Sequence, residues 1–225
     1  MRVLILSDIH GAVKKVRKLR SLLSDVRYDV IVVAGDLTDF GPINLAKDII
    51  DILSAISNRI YYVAGNCDPP EMLNGIPGWE EGNLHLNAVI VEDYLLFGIG
   101  GGTITPFNTF IEFSEEEMLE MLNSLSKTLE DKSDLETLKI MVSHTPPWNT
   151  PLDTTFSKIH VGSITIREFI QRIKPILVIV GHIHEGRGVI ELGGSVVVNP
   201  GPLRSGYYAE ANIIGDRVNI ELKKL

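Results

Sequence analysis

Through the first third of the chain, short apolar runs alternate with segments whose apolar residues recur at helical spacing. VLIL, VIVVA and IYYVA are rich in Val and Ile, and between them residues 13–23 and 43–56 place apolar side chains every third or fourth position. Unbroken hydrophobicity in the strands means burial on both faces, which points to βαβ units around a parallel sheet. The basic stretch 14–20 then falls on the outer face of the first helix, with Val13, Val16, Leu19 and Leu23 turned inward.

The pattern changes after the third strand. Residues 84–99 read as a hairpin, and Ser114 with Glu117 three positions on forms a capping box that starts a helix. The strand LKIMV leads into SHTPPW, whose paired prolines keep the loop extended. Ser163 caps a further helix through Ile166, Phe169, Ile170 and Ile173, ended by Pro175, and the strand ILVIV stops at GHIH. Two hairpins follow, GVIEL and SVVVN around Gly193-Gly194, then YYAEANII and RVNIEL around Gly215-Asp216. Antiparallel pairs are thus added to a parallel start. With no repeat, low-complexity run or linker, a single domain over 1–225 is expected, and 225 residues suffice for one sizeable core.

A net charge of −8 speaks against the backbone of nucleic acid as a partner and for a small ligand. The lone Cys67 permits no intramolecular disulfide, which suits a reducing compartment. RVLIL is too short for a signal core, and no apolar run is long enough to span a bilayer, so a soluble cytoplasmic protein is expected. The oligomeric state has no signature in the chain.

The chemistry gathers where the strands end. SDIHG, GDLTD, GNCD, the His of SHTPPW and GHIH supply Asp8, His10, Asp36, Asn66, His144, His182 and His184. Carboxylate, imidazole and amide oxygen suit divalent manganese, iron or zinc better than soft-metal thiolate sites. Seven donors exceed the needs of one ion and fit two, about 3.5–4 Å apart and sharing a carboxylate. The spacing supports this, because in Asp8-x-His10 and His182-x-His184 alternate residues of an extended segment point the same way, so each pair can aim both side chains into one site.

This ordered set, D-x-H, GD, GN, a strand ending in His, then GHxH, resembles the calcineurin-like metallophosphoesterase superfamily from Asp8 to His184. The resemblance implies an α/β fold, a two-sheet mixed β sandwich flanked by helices, with two metal ions at the strand ends. It implies that Asp8, His10, Asp36 and His184 hold one ion, and Asp36, Asn66, His144 and His182 the other, with Asp36 as bridge. It also implies hydrolysis of a phosphoester by a metal-bridging hydroxide. Manganese is the favoured metal, with iron, zinc or nickel as alternatives.

Many members of the superfamily carry His after the metal-binding Asn, where this chain has Cys67, followed by the retained Asp68. A thiol of pKa about 8.5 is a poor hydrogen-bond donor. Loss of a general acid, a contribution of roughly 10²–10⁴-fold, weighs most on basic leaving groups. His160, in the run HVGS that resembles a phosphodiesterase branch, is the candidate replacement over the phosphate. Cys67, Asp68 and His160 therefore complete the candidate site. The expected function is hydrolysis of small, nucleotide-like phosphodiesters. The alternatives are a phosphomonoesterase and a non-catalytic metal-binding scaffold of the same fold.

The remaining motifs add little. GIGGGT lacks the Gly-Lys-Ser/Thr ending of a phosphate loop and reads as a flexible loop bordering the site. In NPGPLR, Pro and Gly describe a tight turn from which Arg204 could reach a phosphate but need not, and His85, between apolar residues, reads as structural or surface.

Overall fold

The computed structural model describes residues 1–132 and 137–225. The first half runs β1 (Arg2–Leu6), α1 (Val13–Leu22), β2 (Val30–Ala34), α2 (Ile43–Leu53), β3 (Ile60–Val63), β4 (Ala88–Val91), β5 (Tyr94–Ile99), β6 (Gly102–Thr103), β7 (Glu112–Phe113) and α3 (Glu115–Lys132). The second half runs β8 (Leu138–Ser143), α4 (Ile164–Ile173), β9 (Leu177–Ile179), β10 (Gly188–Leu192), β11 (Ser195–Asn199), β12 (Tyr207–Ile214) and β13 (Arg217–Lys224).

Two mixed sheets result. One has the order β13-β12-β1-β2-β3, the other β10-β11-β9-β8-β5-β4, and β6 pairs with β7. In the first, β1, β2 and β3 are parallel and β12 and β13 antiparallel additions; in the second, β5, β8, β9 and β11 are parallel and β4 and β10 antiparallel edges.

Period-two alternation explains why the strands are apolar throughout. Leu4 and Leu6 of β1 join the core under α1 and α2, while Val3 and Ile5 join the core between the sheets. On the second sheet Leu95, Phe97 and Ile99 pack beneath α3 and α4, and Leu96 faces inward against the first sheet. The layers are therefore helix, sheet, sheet, helix, as expected for a two-sheet sandwich.

The local signals act as the sequence predicts. Glu117 N–H donates to Ser114 Oγ at 3.2 Å and Ser114 N–H to the Glu117 carboxylate at 2.8 Å, and Ser163 Oγ accepts from Ile166 N–H at 3.1 Å. Gly193 (φ 62°) and Gly194 (φ 92°) supply the two left-handed positions of a tight hairpin. The helices α1 and α2 are shorter than their apolar periodicity, because Leu23 and Ile56 reach the core from the turns that follow. In GIGGGT, Gly98 and Ile99 finish β5 and Gly102 and Thr103 form β6, so regular structure replaces the loop expected there. Among the described residues no helix is long and apolar enough to cross a membrane.

Candidate metal centre

The parallel strands of both sheets end at one edge, where ligands bind in open α/β sheets. After β1 come Asp8 and His10, after β2 Asp36, after β3 Asn66, after β8 His144 and after β9 His182 and His184. The neighbouring strand ends are tied there by backbone bonds: the His144 N–H donates to the Ile99 carbonyl and Gly181 N–H to the His144 carbonyl.

The backbone at this edge is not extended. Asp8 (φ 52°), His10 (φ 47°), Asp36 (φ 52°) and His182 (φ 67°) are left-handed, and His184 begins a short helical turn. The simple alternation expected of Asp8-x-His10 and His182-x-His184 is thus corrected. The strands stop, and the chain hooks to turn each side chain back over the sheet edge. Such conformations cost of order 1–3 kcal/mol each and persist only where neighbours fix them. Here Asp8 N–H bonds the Gly35 carbonyl at 3.1 Å, His10 N–H the Asp36 carbonyl at 2.9 Å, and His182 N–H the Asp8 carboxylate at 3.2 Å.

The side chains converge. His10 Nε2 lies 3.6 Å from Asp36 Oδ2 and 3.1 Å from His184 Nε2, and His184 Nε2 lies 3.4 Å from Asp8 Oδ1. On the other side of Asp36, His144 Nε2 is 3.5 Å from the same Oδ2 and 2.9 Å from Asn66 Oδ1. The His182 ring meets that of His144 edge-on with centroids 5.0 Å apart. Asp8, Asp36, Asn66 and His144 are buried. Three overlapping groups, Asp8-His10-His184, His10-Asp36-Cys67 and Asp8-Asp36-His144, each bring their donor atoms within 4.8 Å of one another.

These residues fit divalent cations for a reason visible in the tautomers. His144 Nδ1 donates to the Ala34 carbonyl at 2.7 Å, so a neutral ring turns its Nε2 lone pair toward the Asn66 and Asp36 oxygens. Acceptors facing acceptors in a buried site call for a positive charge between them. In the metal-free protein a proton answers: burial opposes it, but Asp36 raises the His144 imidazole to about 9. Burial likewise works to raise the Asp36 carboxyl, yet His144, His10 and the Cys67 N–H outweigh it and hold it well below the usual carboxylate range.

Cys67 has its thiol beside the cluster. Burial, and then the Asp36 charge, push that thiol far up, so it is neutral at ordinary pH. Its N–H donates to Asp36 Oδ1 at 2.8 Å, and its Sγ accepts from Asn66 Nδ2 at 3.5 Å, which leaves Asn66 Oδ1 toward His144. Asp68 is buried. Its carboxylate accepts from Leu37 N–H, Thr38 N–H, Thr38 Oγ–H and Gly65 N–H at 2.7–3.2 Å, tying the GD loop to the GN loop. Burial and the nearby Asp36 lift it to about 7 against those donors. A Cβ at Gly65 would overlap the Asp36 carboxylate, so the Gly of GN is a matter of close approach.

His160 belongs to none of the three groups. Its Nδ1 pairs with Asp153 Oδ1 at 2.8 Å, and the ring lines a neighbouring cavity with Asn149, Lys158 and Glu185. The buried Asp153 carboxylate, which also accepts from the Asn149, Thr150 and Gly162 N–H groups, draws the imidazole into the loop. The cleft over Asn66 and His182, about 710 Å³, is lined instead by Thr103, Ile104, Phe107 and Phe113. His85 is structural: its Nδ1 accepts from Gly100 N–H at 3.0 Å and burial lowers it to about 4. Asp39 also approaches the cluster, its Oδ1 3.6 Å from His10 Nδ1, and its place at the end of GDLTD is the sequence signal for it.

The buried carboxylate–imidazole–amide cluster at the ends of two parallel-strand sets has the donor types that hold divalent cations. The model of the calcineurin-like phosphoesterases matches residues 1–186, and the chain belongs to that family. It is 34% identical to the uncharacterised protein MJ1162 of Methanocaldococcus jannaschii, over 90% of this chain and 88% of that one. The fold is also that of TT1561 of Thermus thermophilus, at a TM-score of 0.75 and 24% identity over 98% of this chain and 97% of that one. A dimetal phosphatase from Danio rerio shares it at a TM-score of 0.68 and 13% identity, over 100% of this chain and 96% of that one.

Proposed function

We propose that the protein is a two-metal phosphodiesterase that hydrolyses small, nucleotide-like diesters, with manganese the favoured metal and iron, zinc or nickel compatible with the same donors. The observation that carries this is the position of Asp36, whose Oδ2 is shared between His10 at 3.6 Å and His144 at 3.5 Å. Asp8, His10 and His184 would hold one cation and Asn66, His144 and His182 the other, with Asp36 common to both. Divalent cations there supply Lewis acidity toward the phosphate oxygens and a water nucleophile. The protein's own share is orientation: His144 is fixed by Ala34, Asn66 by Cys67, and Asp8 by the His182 N–H.

The diester preference rests on what the site does not offer. The raised Cys67 thiol is a weak acid for protonating a leaving alkoxide, and among the described residues no Lys or Arg lines the cleft above Asn66 and His182, although the Arg204 charge reaches His184 on the cluster itself. We assign Cys67 and Asp68 to positioning, and His160 to the loop around Asp153. Metal analysis beside turnover tests the reading. Wild-type protein should take up two manganese ions per chain and hydrolyse bis-p-nitrophenyl phosphate. Asp36→Asn should bind no more than one ion and lose at least about 10³-fold in rate, the scale of removing an electrostatic catalytic group. A chain that takes up no metal would be a scaffold of the same fold.

A further inference from the structure

The cleft that shares Asn66 and His182 with the metal centre has a chemistry of its own. Its walls include Ile104, Phe107, Phe113 and Ile183, and the acidic residues on it are Glu115 and Glu116. Glu115 is already engaged, accepting from Ser163 Oγ–H and Thr165 N–H at 2.9 Å. An arm carrying a second phosphate or a carboxylate would therefore meet negative charge and, among the described residues, no Lys or Arg. An uncharged arm meets apolar wall.

The presentation of that wall is fixed. Phe107 is 81% exposed and Ile104 67% exposed. Single exposed apolar residues are ordinary on a surface. These, however, sit on a loop held from both sides by one carboxylate: Glu112 accepts from Thr105 N–H and Oγ–H and from Thr109 N–H and Oγ–H at 2.6–3.2 Å. The loop is thus fastened with its apolar side chains outward, beside the cluster, where an arm can cover them without reordering the chain. Phe113 is held in turn by stacking on His85, with centroids 6.4 Å apart.

We propose that this cleft is the subsite for one uncharged, apolar ester arm of the substrate, with Ile104, Phe107 and Phe113 as its specificity-determining wall. The inference rests on the phosphodiesterase reading and narrows it. Both a flat ring, such as the base of a nucleoside arm, and an alkyl chain have the chemistry required.

The test uses the full chain loaded with manganese and a series of p-nitrophenyl phosphodiesters that differ only in the second arm: methyl, butyl, hexyl and 5′-thymidyl. Full burial of a methylene is worth about fourfold, so kcat/KM should rise at least about tenfold from methyl to the preferred arm. A rise along the alkyl series identifies a chain-binding cleft; a rise confined to the thymidyl ester identifies a ring. Phe107→Ala should flatten the rise, whereas Ile214→Ala, an exposed apolar residue at the far end of β12, should keep it. Equal kcat/KM for all four arms overturns the subsite and leaves the diesterase reading standing. If no diester turns over, that reading falls instead, and calorimetry of methyl against hexyl phosphate reads the cleft alone. Hexyl binding no tighter than methyl then overturns the proposal.

Discussion

Both oxygens of Asp68 are occupied by donors from two loops, three of them backbone amides. Truncating it strands the Leu37, Thr38 and Gly65 N–H groups in a buried place, and each orphaned donor costs about 1–3 kcal/mol. Asp68→Ala should therefore lower stability by roughly 3 kcal/mol or more, read as a fall in the urea midpoint; an unchanged midpoint would remove Asp68 from the frame. His144 makes a prediction about pH. Its folded-state value of about 9 lies above the ordinary 6.5, so in the metal-free protein its stabilisation is complete below about 6.5 and is lost as pH rises through about 9. A metal must displace that proton, so manganese affinity should climb about tenfold per pH unit from 7 toward 9 and then level. Affinity flat across that range would mean that His144 is not a ligand. At this scale the donor residues were legible because their types and order are chemical. What Cys67, Asp68 and Asp39 touch was not, because it depends on how two loops distant in sequence fold against each other.

Where α3 and α4 begin, one side chain serves both. Glu115 opens α3 and its carboxylate accepts from Ser163 Oγ–H, Ile164 N–H and Thr165 N–H at the start of α4. Glu115→Ala removes an anion from a helix N-terminus and leaves Ser163 to cap alone. It should cost about 1–2 kcal/mol, with Glu115→Gln recovering part of it; a thermal shift under about a degree for the Ala variant would show that the Ser163 cap suffices. The Ser114 and Ser163 caps were readable because each acts within three residues, whereas the Glu115 bridge spans 48–50. The left-handed hooks at Asp8, His10, Asp36 and His182 escaped for a related reason. Only glycine announces such a conformation by its identity. At other residues tertiary contacts impose it, as the Gly35 and Asp36 carbonyls do on Asp8 and His10.

Taken as a molecule, the protein places the polar ends of two parallel-strand sets against each other across a shared apolar core. The strand runs, the helices between them and the hairpins were legible because burial on two faces and tight turns leave strong patterns. Their partition into two sheets, with β8 beside β5 and β11 beside β9, depends on pairings between distant segments that no local pattern encodes. The contact His160 makes is set at this level as well. Proximity to the helix start at Ser163 was legible, but the pull of Asp153 was not.

The most direct test is hydrolysis of bis-p-nitrophenyl phosphate beside p-nitrophenyl phosphate in manganese, with Asp36→Asn as the blank. The account predicts turnover of the diester well above the monoester and none by the variant. Turnover confined to the monoester would make the protein a phosphatase, and a variant as active as wild type would contradict the shared-carboxylate centre itself.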